Sequence, residues 1–325
     1  MRLFLIRHGE TVDNLAQVYA GSKDSELTSH GFQQAQRLAR YLKGTDVRFT
    51  HIFASPLQRA RNTAQAVLDA QSSPALKITR VAAIQEQDFG SFEGKSWLEG
   101  PSSSKPRPAG FVDIESKESM ARRVDSFLDE HMAALWRSAA AGERCVVAIV
   151  SHGIILSVLW RRILRRLPPD SVTMRSDLLV PGRPVSLEYL GGFSNTGYLE
   201  LDMARKGTPV ARALDRVSGH TGTASSPRKR LAAQGTTGGV SSVANAAGSS
   251  VAPVPAPTRA VEKLPVTGGS SSSSQVLHGW TTEVITINGK EHLKGLKRTG
   301  GGLGSSKHDQ NQRSIDTFFK RRRVD

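Results

Sequence analysis

Apolar residues in the first two hundred positions follow two rhythms, and beyond them the periodicity almost disappears. The short run at 3–6 (Leu-Phe-Leu-Ile) and those at 51–54 and 77–81 read as strands bounded by polar residues. Between them the spacing lengthens to that of helices. Phe32, Ala35, Leu38, Ala39 and Leu42 share one side of a helix that a Thr28 cap would start and Gly44 would stop. A second helix is expected just after Pro56, through Ala60, Ala64, Val67 and Leu68, and a third carries Met120, Val124, Phe127, Leu128, His131 and Leu135. The unbroken apolar run at 145–150 reads as a buried central strand, followed by a helix over 154–165. Strands alternating with helices predict an α/β fold: a three-layer sandwich with a mostly parallel sheet, closed by a last strand at 195–201. The domain is expected to span 1–205.

Composition changes sharply after that point. Residues 206–325 hold 18 lysines and arginines against 7 acids, so +11 of the net charge of +15 sits there, while the first 205 residues are nearly balanced. Residues 206–275 are rich in Ser, Gly, Ala and Pro and bury too little apolar surface to offset ordering entropy, so a disordered linker is expected. Within it, Ser226-Pro227 precedes the basic Arg228-Lys229-Arg230 and has the form of a proline-directed phosphorylation site. At 276–300, Val284, Ile285 and Ile287 precede Asn288-Gly289, which suggests a short hairpin, either joined to the domain's sheet or serving a partner. Residues 301–325 read as a disordered tail. The single cysteine, Cys145, lies within an apolar run, so no intrachain disulfide is available and an intracellular protein is expected. No apolar run approaches the roughly 20 residues needed to span a bilayer, so no membrane partner is expected.

Two histidines fall just past strands in this layout, His8 after 3–6 and His152 after 145–150, where open α/β sheets place their ligands. A helix beginning near Gly153 would offer oriented N–H groups to a phosphate. Arg7-His8-Gly9-Glu10-Thr11 with Asn14, Leu27-Thr28 with Gly31 and Gln34-Ala35, Ser55-Pro56-Leu57-Gln58-Arg59-Ala60 with Thr63-Ala64, and Ser151-His152-Gly153 resemble the RHG branch of the histidine phosphatase superfamily, the phosphoglycerate mutase-like group. That resemblance implies that His8 is a nucleophile forming a phosphohistidine. It makes Arg7, Asn14, Arg59 and Gly153 phosphate-binding residues, with His152 supporting the developing charge as a protonated or donor-positioned ring. Glu86 matches the family's general acid and base, with Asp88 and Glu93 as nearby rivals. The arginines would disfavour imidazolium while drawing in phosphate, so no cofactor or metal is implied. Lys105 and Arg107, in the stretch 97–110, are candidate substrate contacts. That stretch lacks an extended mutase cap, which favours a phosphatase acting on a phosphorylated small molecule or phosphoprotein.

Near the C-terminus, Gln312, Ile315, Phe318 and Phe319 have the Q-x-x-Φ-x-x-aromatic-aromatic spacing and resemble a PIP box, the peptide that docks on the sliding clamp PCNA. Lys320, Arg321, Arg322 and Arg323 follow and read as a nuclear localisation signal, with the cytoplasm as an additional location. Basic charge without interleaved aromatics supports only nonspecific contact with nucleic acid. The expectation is a nuclear, metal-independent phosphomonoesterase recruited to the clamp. The alternatives are a metabolic phosphatase or mutase-like enzyme whose tail only localises it, and a catalytically idle clamp-bound scaffold.

Overall fold

Strand β1 (Arg2–Arg7) is followed by a five-residue helix α1 (Val12–Ala16), helix α2 (Ser29–Gly44), strand β2 (His51–Ala54), helix α3 (Gln58–Asp69) and strand β3 (Ile78–Arg80). Helices α4 (Lys117–Phe127) and α5 (Ala133–Ala140) come next, then strand β4 (Val146–Ser151), helix α6 (Gly153–Arg166), and strands β5 (Val172–Met174), β6 (Tyr198–Arg205) and β7 (Trp280–Gly289). The computed structural model describes residues 1–98, 107–179, 185–205 and 277–298. The linker 206–275, Ser226, Lys105, the peptide Gln312 to Phe319 and the basic cluster 320–323 lie outside the described residues.

The seven strands form one sheet in the order β3-β2-β4-β1-β6-β7-β5. β1, β2, β3 and β4 pair in parallel, whereas β6 runs antiparallel to both β1 and β7. Alternation along the central strands makes the layers. Leu3 and Leu5 of β1 join Val147 and Ile149 of β4 in a core with Met120, Phe127, Trp136, Leu156 and Trp160. Phe4 and Ile6 turn the other way, with Val146, Ala148 and Val150, onto Leu38, Leu42, Ala60 and Val67 of α2 and α3. The expected α/β sandwich with a mostly parallel sheet is the fold observed.

Thr28 caps α2 as its sequence suggests, its hydroxyl accepting the Gly31 N–H. The helix expected across 120–135 is interrupted by a π-helical turn, Leu128–Met132, between α4 and α5. Among the described residues 277–298 no separate hairpin forms, and of the two placements expected for the segment it joins the domain's sheet. Residues 280–289 are one long strand because β6 offers its free edge and Val284 has an apolar face to fill. Asn288, at φ 47, turns the chain at the strand's end into a 3₁₀ turn, Glu291–Leu293.

Candidate active site

The tips of β1 and β4 lie side by side in parallel register, Arg7 opposite Ser151, which puts His8 and His152 next to each other. Their ring centroids are 5.1 Å apart and both residues are buried. His8 N donates to Ser151 O at 3.0 Å, and its carbonyl accepts from Thr196 N at 3.1 Å, so its backbone is held on two sides. His8 Nδ1 lies 2.6 Å from Gly9 O. A carbonyl only accepts, so Nδ1 carries the ring proton and Nε2 keeps its lone pair. Burial holds the imidazole well below its usual pKa, and the Arg59 and Arg7 charges push it further in that direction. Gly9 is required by a close approach: a Cβ there would stand 2.5 Å from Gly31 O, where the N-terminus of α2 rests on this loop.

Arg59, in the first turn of α3, is 1% exposed and makes three hydrogen bonds. Its Nε donates to His152 Nδ1 at 3.1 Å, and its two outer nitrogens donate to Lys23 O and Gly21 O, each at 2.7 Å. Burial pushes its pKa down to about 10, and the Glu86 carboxylate counters that shift. With Nδ1 accepting, His152 places its proton on Nε2 and donates to Ser55 Oγ at 2.8 Å. Burial and then the Arg59 charge hold this ring neutral, well below its usual pKa. Of the two forms expected of His152, protonated or donor-positioned, its hydrogen bonds favour the neutral ring with its donor on Nε2.

Arg7 leaves the end of β1 and donates from one outer nitrogen to Phe193 O at 2.6 Å, while its Nε is buried without a partner. Burial lowers its pKa too, again against Glu86. An unpartnered buried guanidinium N–H is costly unless a ligand oxygen meets it. Gly153 lies against this group, a Cβ there falling in ordinary contact at 3.7 Å from Arg7 Nε. Asn14 forms a capping box with Thr11, and its Oδ1 also accepts from Asn195 Nδ2 at 3.0 Å.

Glu86 faces the same centre from the loop after β3. Its Oε2 accepts from Ile154 N at 3.2 Å, and its Oε1 accepts from Ile155 N at 3.1 Å and from Gln87 N at 3.0 Å. These are first-turn N–H groups of α6, so here the carboxylate, rather than a phosphate, satisfies donors that the sequence assigned to phosphate. The rival acids are occupied elsewhere, Glu93 by Ser22 N at 2.6 Å and Asp88 by Gly90 N at 2.7 Å. Arg107, the described one of the two candidate substrate contacts, is exposed, pairs with Asp113 and lies over the Phe111 ring. Cys145 is buried, and burial raises its thiol pKa. Among the described residues no group of three or more His, Cys, Asp or Glu side chains could hold a metal ion.

Three participants escape the sequence reading. Arg123 of α4 donates to the carbonyls of Ala83, Gln85 and Glu86 at 2.8, 2.7 and 3.1 Å and pairs with Glu115, fixing the backbone that carries Glu86. Ser55 sits inside a quoted motif but its contact with His152 is tertiary. Asn195 Nδ2 reaches His8 O at 3.3 Å as well as Asn14, and its sequence surroundings, read as the start of the last strand, gave no sign of that role.

Paired buried histidines under two guanidiniums, at the carboxyl ends of parallel strands, define a phosphoryl-handling α/β enzyme site. The sequence model of the histidine phosphatase superfamily (branch 1) matches residues 3–177, more than half of the chain, and the chain belongs to that family. It is 36% identical over 166 residues to a probable phosphatase of Schizosaccharomyces pombe, a match covering 50% of this chain and 56% of that protein. It is 32% identical over 197 residues to the 2,3-bisphosphoglycerate-dependent phosphoglycerate mutase of a Bradyrhizobium strain, covering 56% of this chain and 89% of the mutase. Among solved structures, a mycobacterial glucosyl-3-phosphoglycerate phosphatase superposes with a TM-score of 0.47 at 23% identity, covering 62% of this chain and 91% of that one. Family membership places the chain among phosphatases and phosphoglycerate mutase-like enzymes.

Proposed function

We propose that the protein is a phosphomonoesterase that works through a phosphohistidine on His8. One observation carries this reading: His8 is kept neutral, with its proton on Nδ1 spent on Gly9 O and its Nε2 lone pair free, beside two buried guanidiniums. Nε2 attacks phosphorus as the bond to the leaving oxygen breaks, and Glu86, entering this step as the acid, gives its proton to that oxygen. Water then attacks the phosphohistidine, Glu86 takes the water's proton, and His8 leaves as the neutral ring. Arg7 Nε and the Asn14 amide nitrogen supply donors to the phosphoryl oxygens, and Arg59 adds charge while fixing His152.

Hydrolysis is favoured over phosphoryl transfer to a second phosphate because the stretch 97–110 lacks the extended cap sequence of a mutase. The test is hydrolysis of an aryl phosphate in EDTA by the wild type and His8→Ala, with acid-labile phosphohistidine trapped during turnover. Loss of both activity and label in His8→Ala supports the reading. Full activity in that variant would sink it.

The tail adds a place of action. Gln312, Ile315, Phe318 and Phe319 would dock on the PCNA clamp and Lys320 to Arg323 would direct nuclear import, the support being the complete spacing of the first set and the adjacency of the second. Because the chain is fastened to the domain as far as Arg298, only the stretch from there to Gln312 acts as tether, and treated as coil it gives a reach of about 20 Å, which keeps the enzyme close to a docked tail. Clamp capture by the wild type and not by Phe318→Ala/Phe319→Ala is expected, and equal capture would remove the peptide from the account.

A further inference from the structure

Gly197 is where the C-terminal segment meets the catalytic loop. A Cβ there would stand 2.1 Å from Asn288 Oδ1, so Asn288 fits only because residue 197 has no side chain. Asn288 fills that space with two hydrogen bonds, its Oδ1 accepting from Ser194 N at 2.8 Å and its Nδ2 donating to Ser194 Oγ at 3.1 Å. One residue before Gly197, Thr196 is at φ 55, a left-handed conformation that a β-branched residue adopts only when its surroundings impose it. The imposing contacts are visible. Its N–H donates to His8 O, its hydroxyl donates to Asn195 O at 2.7 Å, and the same hydroxyl accepts from His292 Nε2 at 2.8 Å. Two further links fasten the same segment, an Arg298–Glu10 ion pair at 2.5 Å and Arg37 donating to Lys294 O at 2.9 Å.

The loop so held is the support of the catalytic pair. Phe193 O accepts from the Arg7 side chain, Gly197 O accepts from Arg7 N at 3.0 Å, and Asn195 bridges His8 O and Asn14. We propose that Asn288 and His292 are positioning residues for the reaction: the segment 288–298 clamps the strained turn 194–197 and thereby sets where His8 and Arg7 stand. The segment lies beyond the residues that the family match covers. Its effect passes through the loop, since neither Asn288 nor His292 touches the phosphoryl site. The inference rests on the reading of His8 and Arg7 as the phosphoryl-handling pair.

The test uses the full chain with Asn288→Ala and Asn288→Asp, each first shown folded at the assay temperature by circular dichroism and a thermal melt. Asn288→Ala is expected to lower kcat/KM for an aryl phosphate by about 10- to 100-fold and to weaken orthovanadate binding by a similar factor, because small misplacements at a catalytic centre are amplified. Aspartate keeps an acceptor for Ser194 N, tolerates the left-handed backbone and lets the Ser194 hydroxyl donate to its second oxygen, so Asn288→Asp is expected to restore most of both. A merely structural role would lower the melting temperature and leave kcat/KM per folded molecule unchanged, which would overturn the proposal. Should Asn288→Ala not fold, His292→Phe keeps the ring volume and removes the donor to Thr196, and unchanged kcat/KM and vanadate affinity there would overturn it equally. A wild type that binds vanadate yet hydrolyses no phosphomonoester would sink the hydrolysis reading alone, and vanadate affinity of the variants would still decide the clamp.

Discussion

Arg59 Nε donates to His152 Nδ1 across 3.1 Å, and that hydrogen bond fixes the tautomer of one histidine while the same guanidinium's charge helps keep the other unprotonated. His152 is buried on β4's tip and His8 on β1's, so a single cation from α3 governs both. The arrangement converts a general rule, that an imidazole attacks only when neutral, into a fixed local geometry.

Removing that cation has a defined consequence for the pH profile. In Arg59→Met the volume is kept and the charge is lost, so the imidazolium form of both rings becomes less unfavourable and their pKa values rise. The acid limb of kcat/KM is expected to move to higher pH than in the wild type, with a fall of about 10²-fold or more at neutral pH from lost phosphoryl stabilisation. A pH–rate series on both proteins checks this, and an unmoved acid limb would contradict the role given to Arg59.

Replacing Glu86 is expected to separate two kinds of substrate. A proton donor matters most when the leaving oxygen is basic, so Glu86→Gln is expected to slow an alkyl phosphate by about 10²–10⁴-fold and p-nitrophenyl phosphate far less. Because Glu86 also accepts the first-turn N–H groups of α6, and Gln retains one acceptor oxygen, the stability cost is expected to be no more than about 1 kcal/mol. Equal slowing of both substrates would assign Glu86 to the cap alone.

Acid stability offers a separate check on the C-terminal segment. Burial pushes the His292 pKa down to about 4, with Glu291 countering and Arg37 assisting, so in the fold it stays neutral where the unfolded residue, near 6.5, takes up a proton. The unfolded chain then binds more protons between pH 6.5 and 4, and stability is full above that window and lost as pH falls through it. His8 and His152 act in the same direction. Urea midpoints measured at pH 7.5 and pH 5 are expected to differ less in His292→Gln than in the wild type, and equal differences would contradict a buried neutral His292.

The central strands and the helices between them were legible because periodicity is local, whereas the order of strands in the sheet was not: Leu3 to Ile6 and the run at 145–150 announce buried strands, and Thr28 announces its own cap. The motif residues were legible as a set because each loop carries its own short signature. What sequence could not supply was the closing of distance. Arg123 reaches the Glu86 backbone from 37 positions away, and Asn288 reaches Ser194 from 94 away, contacts that only folding creates. Asn288-Gly289 has the chemistry of a tight hairpin turn, yet the free edge of β6 decides that the residues before it join an existing sheet. Local turn propensity gives way to strand pairing of the kind that buries Trp280 and Val284.

That burial makes β7 part of the domain's cooperative core, although 74 residues separate Arg205 from Trp280. Trp280 is 2% exposed, and its side chain belongs to the core shared with Met203 and Leu201. Trp280→Ala is expected to destabilise the whole protein by about 3–5 kcal/mol, since it removes a large buried side chain and leaves a cavity beneath β6. Equilibrium urea unfolding followed by circular dichroism reads the total, and hydrogen exchange on β1 and β4 shows whether the loss is global. If β7 were a loosely attached appendage, the central strands would keep wild-type protection while only residues 277–298 exchanged faster. Loss of protection in β1 and β4 by the same free energy as in β7 is the expected result.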